Sequence, residues 1–235
     1  MKVIRLLTLT LGLALATSLM ATSPAEADSS KTLGSGTITK SVSLQSYFTS
    51  SAIGRCLSAT INGTMTASWS KIQMVPSYTN GYSSATYYTI YSPKFKDPKL
   101  SVAVYDKCGS DRKAKTLTQL KFRQSYYTTL CKANVSVGLS AGTGFSVGLS
   151  ATPTCGRVTV AKRESFSQQV LTAYSQSNSG AVLTWPASDQ VVTSPAAAKS
   201  LKACIRPFVY LDAAVGGNFD NQDLDFSETC ISYPA

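Results

Sequence analysis

Apolar and polar residues alternate along the chain from residue 37 to about residue 172, and short turn signals separate the alternating runs. Successive side chains of a β-strand point to opposite faces, so this period of two predicts antiparallel strands with one apolar face. The run "LSATINGTMTASW" shows the pattern best, because every second position from Leu57 to Trp69 is apolar except Gly63. It predicts either one long kinked strand or a hairpin that turns at Asn62-Gly63.

The remaining pattern is also that of a β-protein. "SYTNGYSS" predicts a two-residue Asn-Gly hairpin, and the strands "ATYYTIYS" and "LSVAVYD" are expected on either side of a proline-bounded basic loop, "SPKFKDPK". Only "PAAAKSLKAC", from Pro195 to Cys204, favours a helix, since proline opens it and good helix formers follow. We predict an all-β fold for residues 37–235: a single antiparallel β-sandwich, compact or elongated, with one short helix near the C-terminus.

Residues 131–155, "CKANVSVGLSAGTGFSVGLSATPTC", read nearly the same in both directions around Thr143. If Thr143 tips a tight turn, opposed residues sum to 286, and Cys131 faces Cys155 on the apolar side of a hairpin. Directly opposed cysteines can reach disulfide geometry. The pattern therefore predicts a hairpin with a Cys131–Cys155 bond, which should stabilise the fold by about 3 kcal/mol.

The first residues have the composition of an export signal. Lys2 and Arg5 precede an apolar run, and Ala25-Glu26-Ala27 is a typical cleavage sequence. We expect residues 1–27 to be a signal peptide cleaved after Ala27, and the mature protein to be secreted. The Ser/Gly-rich residues 28–36 then predict a flexible arm.

Export changes how the six cysteines are interpreted, because disulfides form in oxidising compartments. With Cys131 joined to Cys155, the other four can pair in three ways. Our hypothesis joins neighbours in the sequence. It gives the pairs Cys56–Cys108 and Cys204–Cys230.

Charge is distributed unevenly along the chain. Residues 28–163 hold 17 Lys and Arg against 4 Asp and Glu, a net charge of +13, whereas residues 164–235 hold 3 against 7, a net charge of −4. The basic part includes tyrosines and phenylalanines among its cations, a combination that suits phosphates, sulfates and sugars. The candidate residues for polyanion binding are Lys94, Lys96, Lys113, Lys115, Lys121 and Arg123. A solvated cationic face, and a basic body that packs against the acidic segment 212–235, are the alternatives.

The sequence contains no histidine, which excludes mechanisms that need an imidazole base and the usual zinc and copper sites. Asp220, Asp223 and Asp225 offer oxygen ligands to calcium, but their spacing misses the EF-hand pattern and suits an exposed acidic loop. We therefore expect neither an enzyme nor a bound metal or cofactor.

The alternation of apolar residues with Ser and Gly in residues 131–155 resembles the insertion hairpins of aerolysin-like β-pore-forming toxins. The resemblance implies a membrane-active toxin whose lipid-facing residues are Val135, Val137, Leu139, Phe145, Val147 and Leu149. Against this, each arm alternates over seven residues, whereas a membrane-crossing strand needs about 9–11. The predicted disulfide would also clamp the hairpin at its base.

Our main expectation is thus a secreted, non-enzymatic binding or adaptor protein that acts through a basic surface rich in Tyr, Ser and Thr. Its partner would be an extracellular protein, a glycan or an anionic surface. A membrane enters only in the toxin alternative. A mobile arm that leads into a strand also suits strand addition, so residues 28–45 could complete the sheet of a partner in a secreted assembly.

Overall fold

A computed structural model of the protein describes residues 29–75, 84–132, 154–185, 192 and 194–234, and these residues form ten β-strands and one short helix. The elements are β1 (Ser29–Ser50), β2 (Arg55–Val75), β3 (Ala85–Tyr105), β4 (Gln119–Lys132), β5 (Thr154–Ser167), β6 (Ala173–Ser177), β7 (Val182–Thr184), α1 (Pro195–Ala198), β8 (Lys202–Val215), β9 (Asn218–Asp225) and β10 (Thr229–Ser232). All strand pairs are antiparallel. They form two sheets that pack together, which confirms the predicted all-β sandwich.

The first sheet has the order β1-β2-β3-β6, and β7 also pairs with β3. The second has the order β10-β8-β4-β5, and β9 also pairs with β8. Their apolar faces meet in one core, where rings from the two sheets touch: Phe95 lies 5.8 Å from Tyr126, and Phe122 lies 4.9 Å from Tyr174. The faces turned away from this core are therefore the surfaces that can bind other molecules.

Strand β2 is one long strand, so the chain does not turn at Asn62-Gly63. Its alternate positions Leu57, Ile61 and Met65 are fully buried, as the alternation predicted. Gly63 continues this buried row without a side chain, because the ring of Phe95 occupies the space: a Cβ at Gly63 would lie 2.5 Å from that ring. The glycine thus admits a neighbouring aromatic side chain and does not form a turn.

The prediction that "SPKFKDPK" forms a loop is wrong, since these residues lie within the continuous strand β3. Pairing survives because the strand contains two β-bulges, one at Ser92-Pro93 and one at Asp97-Pro98. Ser92 and Asp97 each adopt φ 50°, a left-handed conformation, and each precedes a proline that has no N–H to pair. Each bulge adds one residue and so reverses which side chains face the core.

The predicted flexible arm also differs from the structure. Residues 29–36 begin β1 and pair with the end of β2, with one bulge at Leu33. Trp69 lies across this segment, and a Cβ at Gly36 would come within 2.8 Å of its Nε1 atom. The small residues that suggested mobility instead make room for the indole ring.

Near the C-terminus, the helix is shorter than the segment that predicted it. It ends at Ala198, and β8 takes over at Lys202 because Ala203 and Ile205 are buried in the core. The acidic segment 212–235 is part of the second sheet, in the end of β8 and in β9 and β10.

Two of the predicted disulfides are present, Cys56–Cys108 and Cys204–Cys230. The latter joins residues directly opposed across β8 and β10. Cys131 and Cys155 are likewise directly opposed in the β4–β5 register, which confirms the predicted register at the base of the hairpin. The hairpin beyond this base, the Asn-Gly turn and the predicted signal peptide lie outside the described residues. Among the residues that are described, no helix has the length and apolarity needed to cross a membrane.

Candidate binding site

The outer face of the first sheet is covered with small hydroxyl-bearing side chains. Because directly paired residues share a face, the register places the polar alternate positions of β1, β2 and β3 together on this side. We call this surface the hydroxyl face; it comprises Thr37, Thr39, Ser41, Ser43, Gln45 and Tyr47 of β1, Ser58, Thr60, Asn62, Thr64, Thr66 and Ser68 of β2, and Lys94, Lys96, Lys99, Ser101, Ala103 and Tyr105 of β3. Such a surface offers many donors and acceptors and little apolar area.

Three lysines stand in line on the β3 side of this face. Lys94 and Lys96 lie opposite Thr66 and Thr64, and Lys99 lies opposite Asn62. Without the bulge at Asp97-Pro98, strict alternation would place Lys99 on the core side together with Phe95. The bulge is therefore what brings the third lysine onto the hydroxyl face.

Asp97, the acidic residue within this row, is engaged elsewhere. Its carboxylate accepts a hydrogen bond from the backbone N–H of Gly180 at 2.6 Å, and its own N–H donates to the carbonyl of Ala181 at 2.9 Å. These contacts hold the β6–β7 turn against the bulge, so the carboxylate serves the fold and does not form an ion pair with the lysines.

A groove of about 390 Å³ crosses the hydroxyl face near one end of β3. It exists because two adjacent cross-strand rows consist of small residues: Ser58, Ala103 and Ala173 in the first, and Thr60, Ser101 and Ser175 in the second. Gln45, Lys99, Tyr105 and Arg112 carry the longer side chains around this floor.

Polar contacts organise the groove. Gln45 Nε2 donates to Ser58 Oγ at 2.9 Å, and the hydroxyl of Tyr47 donates to Gln45 Oε1 at 2.8 Å. Ser101 and Ser175 share a hydrogen bond of 3.4 Å. Each of these hydroxyls retains capacity for a further hydrogen bond, which a ligand or water can use.

The cation at one end of the groove is held in place by its surroundings. The guanidinium of Arg112 stacks on the ring of Tyr105 at 4.1 Å. The turn that carries Arg112 is closed by Asp106, whose carboxylate accepts the backbone N–H of Lys113 at 2.7 Å. That hydrogen bond lowers the pKa of Asp106 below its ordinary value.

The six predicted polyanion-binding residues do not form one site. Lys94 and Lys96 belong to the hydroxyl face, and Lys113 and Lys115 lie on a segment that pairs with the end of β3. Lys121 and Arg123 lie on the outer face of the second sheet, on the other side of the core. There Arg123 is shared between the ring of Tyr210 and the carboxylate of Glu164, at 5.2 and 3.8 Å.

The acidic candidates for calcium are not brought together either. Asp220 is three positions from Asp223 in β9, so the two side chains leave opposite faces of the strand. Asp220 accepts a hydrogen bond from Ser50, and Asp225 forms an ion pair with Arg206. Glu228 does lie near Cys204 and Cys230, but the two sulfur atoms are joined in a disulfide.

The candidates for lipid contact are Val135, Val137, Leu139, Phe145, Val147 and Leu149. All six lie outside the described residues.

The sequence pattern identified the polar face of β2 but did not reveal that Gln45, Lys99, Ser101 and Arg112 are its neighbours. The sequence did contain a signal for the bulges that place Lys99 and Ser101 on this face. Ser92-Pro93 and Asp97-Pro98 are turn-type dipeptides inside an otherwise strand-like run, and such dipeptides are also typical of bulges.

No protein-family model, no curated protein and no solved structure matches this chain.

Proposed function

We propose that the protein is a secreted, non-enzymatic binding protein whose hydroxyl face attaches to an anionic, hydroxyl-rich extracellular surface. The observation that carries this proposal is the row of Lys94, Lys96 and Lys99 among Ser, Thr and Asn side chains, with the nearby Asp97 carboxylate engaged by the backbone. Ordered disulfides are compatible with an oxidising, extracellular location.

The spacing of these lysines suits a linear polyanion. Lys94 and Lys96 are two positions apart on one face of a strand, which is about 7 Å. Flexible ammonium groups at such intervals can follow a charged chain and release its counterions, while the hydroxyls beside them bind its polar groups. Affinity that comes from counterion release falls steeply with salt.

The test is retention on immobilised heparin over a range of salt concentrations. The variant Lys94→Gln/Lys96→Gln/Lys99→Gln should elute earlier and reduce the slope of log affinity against log salt by about 3, since roughly 0.9 counterion is released for each contact. The matched control, Lys121→Gln/Arg123→Gln/Lys162→Gln, removes the same charge from the outer face of the second sheet, where the exposed Lys162 of β5 lies opposite Ser125.

Equal weakening by the two triple variants would mean that only net charge matters and would contradict a site on the hydroxyl face. If the variant Lys94→Gln/Lys96→Gln/Lys99→Gln is retained on heparin as strongly as the wild type, the proposal is contradicted. Circular dichroism of both variants shows that the sheets are intact.

A membrane-active toxin is the second candidate function. The observation that favours it is the β4–β5 register, which continues to Cys131 opposite Cys155 and so supports a hairpin at residues 131–155. Dye release from anionic liposomes separates the two functions. Leakage at sub-micromolar protein, lost in Val137→Asp/Leu149→Asp, would favour the toxin, whereas liposome binding without leakage would favour the binding protein.

A further inference from the structure

The groove on the hydroxyl face combines hydroxyl groups, an amide and two cations around a floor of small side chains. Ser58, Thr60 and Ser101 present hydroxyls, Gln45 presents its amide, and Lys99 lies toward one end. Its lining residues extend along β3 from Lys99 to Tyr105, about 20 Å at roughly 3.4 Å per residue, and the groove is open to solvent. It is therefore a trough for an extended chain and not a closed pocket.

We propose that this groove binds an acidic polysaccharide, with a hydroxylated sugar ring on the floor and its carboxylate or sulfate against Arg112. The proposal rests on the function proposed above and assigns its ligand class. Vicinal ring hydroxyls match the paired donors and acceptors of the floor, because each Ser or Thr hydroxyl can both donate and accept.

Arg112 supplies the selectivity for acid groups. A guanidinium presents several N–H donors in one plane and matches the two oxygens of a carboxylate or sulfate. Stacking on Tyr105 at 4.1 Å fixes the plane of Arg112 before a ligand arrives, which lowers the entropy lost on binding.

A bare polyanion would not use the floor. A polyphosphate chain can neutralise Lys94, Lys96 and Lys99, but it has no ring to seat between the walls at Gln45 and Tyr105. The groove thus adds recognition of sugars to the charge attraction of the lysine row.

The experiment fills the groove without changing charge. Ala103 lies in the middle of the floor, between Ser58 and Ala173, so Ala103→Tyr places a ring where the sugar would sit. Ala173→Tyr does the same from the exposed position on β6 and serves if the first variant is unstable. The control Ser232→Tyr adds the same side chain at an exposed position of β10, in the second sheet and away from the hydroxyl face.

Binding is measured by calorimetry with polygalacturonate, dextran sulfate, uncharged dextran and polyphosphate. We expect the wild-type protein to bind polygalacturonate or dextran sulfate and to bind dextran much more weakly. Either groove variant should lose about tenfold or more in affinity for the acidic polysaccharide but bind polyphosphate as the wild type does, and the control Ser232→Tyr should bind both ligands as the wild type does. Arg112→Gln should reduce the preference for acidic over uncharged polysaccharide.

The outcomes separate the two proposals. If Ala103→Tyr and Ala173→Tyr bind acidic polysaccharide as the wild type does, the groove is not the sugar site. That result would not contradict the proposed binding of polyanions by Lys94, Lys96 and Lys99. If the wild type binds no polyanion at all, the proposed function fails and the ligand assignment fails with it. The relative affinities for polygalacturonate and dextran sulfate tell whether carboxylate or sulfate is the preferred anion.

Discussion

Single residues decide how closely the long strands can approach one another. Gly63 and Gly36 each lie under an aromatic ring, Phe95 and Trp69 respectively, and neither position could hold a side chain without moving that ring. Gly63 interrupts the alternating pattern of β2, and Gly36 directly precedes the residue at which the alternation of β1 begins. Their role is close packing of side chains across strands, which a pattern of polarity cannot reveal.

Replacing Gly63 tests this packing. Gly63→Ala should lower the free energy of unfolding by about 1–3 kcal/mol, because the added methyl group overlaps the Phe95 ring inside a filled core. Urea denaturation measures the change. Gly156→Ala in β5 is the matched control, since a Cβ there meets nothing within 4 Å, and it should be nearly neutral. Equal effects of the two substitutions would contradict the packing role.

Tyr126 is the buried ionisable residue with the clearest consequence for stability. Burial raises its pKa above the ordinary value of 10.0, with a smaller opposing effect from Arg163, and its hydroxyl donates to Gln124 at 2.8 Å. The folded protein therefore keeps a proton that the unfolded chain loses above pH 10. Stability from this group is complete below pH 10 and declines above it by about 1.4 kcal/mol per pH unit.

The Tyr126→Phe variant should lack this component. In urea titrations, the unfolding free energy of the wild type minus that of the variant should be nearly constant below about pH 10 and fall above it, with other tyrosines cancelling in the comparison. A difference that stays constant with pH would show that the Tyr126 hydroxyl ionises equally in the folded and unfolded states.

At the scale of elements, the long ribbon β1–β2–β3 departs from the sequence prediction in two ways. The proline-bounded segment became part of β3, and the predicted arm became the start of β1. In both places local composition favoured irregular structure, but pairing with the long strand β2 satisfied backbone hydrogen bonds. Tertiary context outweighed local preference.

Deleting residues 28–36 tests the second departure. The deletion should lower the melting temperature by several degrees, because it removes pairing with β2 and uncovers Trp69. Leu33→Ser is the control: Leu33 is the bulged residue in β1, is 42% exposed and should tolerate the change. If the deletion leaves the melting temperature unchanged and abolishes co-purification of a partner, the prediction is contradicted. Residues 28–36 would then act as an arm that docks onto the partner.

At the scale of the molecule, one core joins the two sheets, and their outer faces differ in chemistry. The hydroxyl face carries lysines among neutral polar residues, whereas on the second sheet Arg123 and Arg206 contact Glu164 and Asp225. Cations of the basic part lie on both sheets, but the two ion pairs found among the described residues lie on the second sheet. The proposed polyanion site therefore depends on where the lysines of the hydroxyl face lie and not only on the net charge of +10.

A shared core predicts one cooperative unfolding transition. Tryptophan fluorescence follows the first sheet through Trp69 and through Trp185, whose backbone N–H donates to the carbonyl of Pro93 in β3. Amide hydrogen exchange in β4 and β8 follows the second sheet. Both should report the same denaturant midpoint, because rings such as Phe95 and Tyr126 interlock across the interface. Two separated midpoints would mean that residues 37–235 are not a single domain.

The sequence by itself determined the all-β class, the buried row of β2 and the base register at Cys131 and Cys155. These features depend on a period of two and on short cross-strand distances, which local pattern encodes. Only the tertiary structure decided which of the three possible pairings the other four cysteines adopt, which lysines share a surface and where the groove lies. The physical reason is that one extra residue in a bulge reverses every later side chain of the strand, and cross-strand neighbours far apart in sequence then define the site.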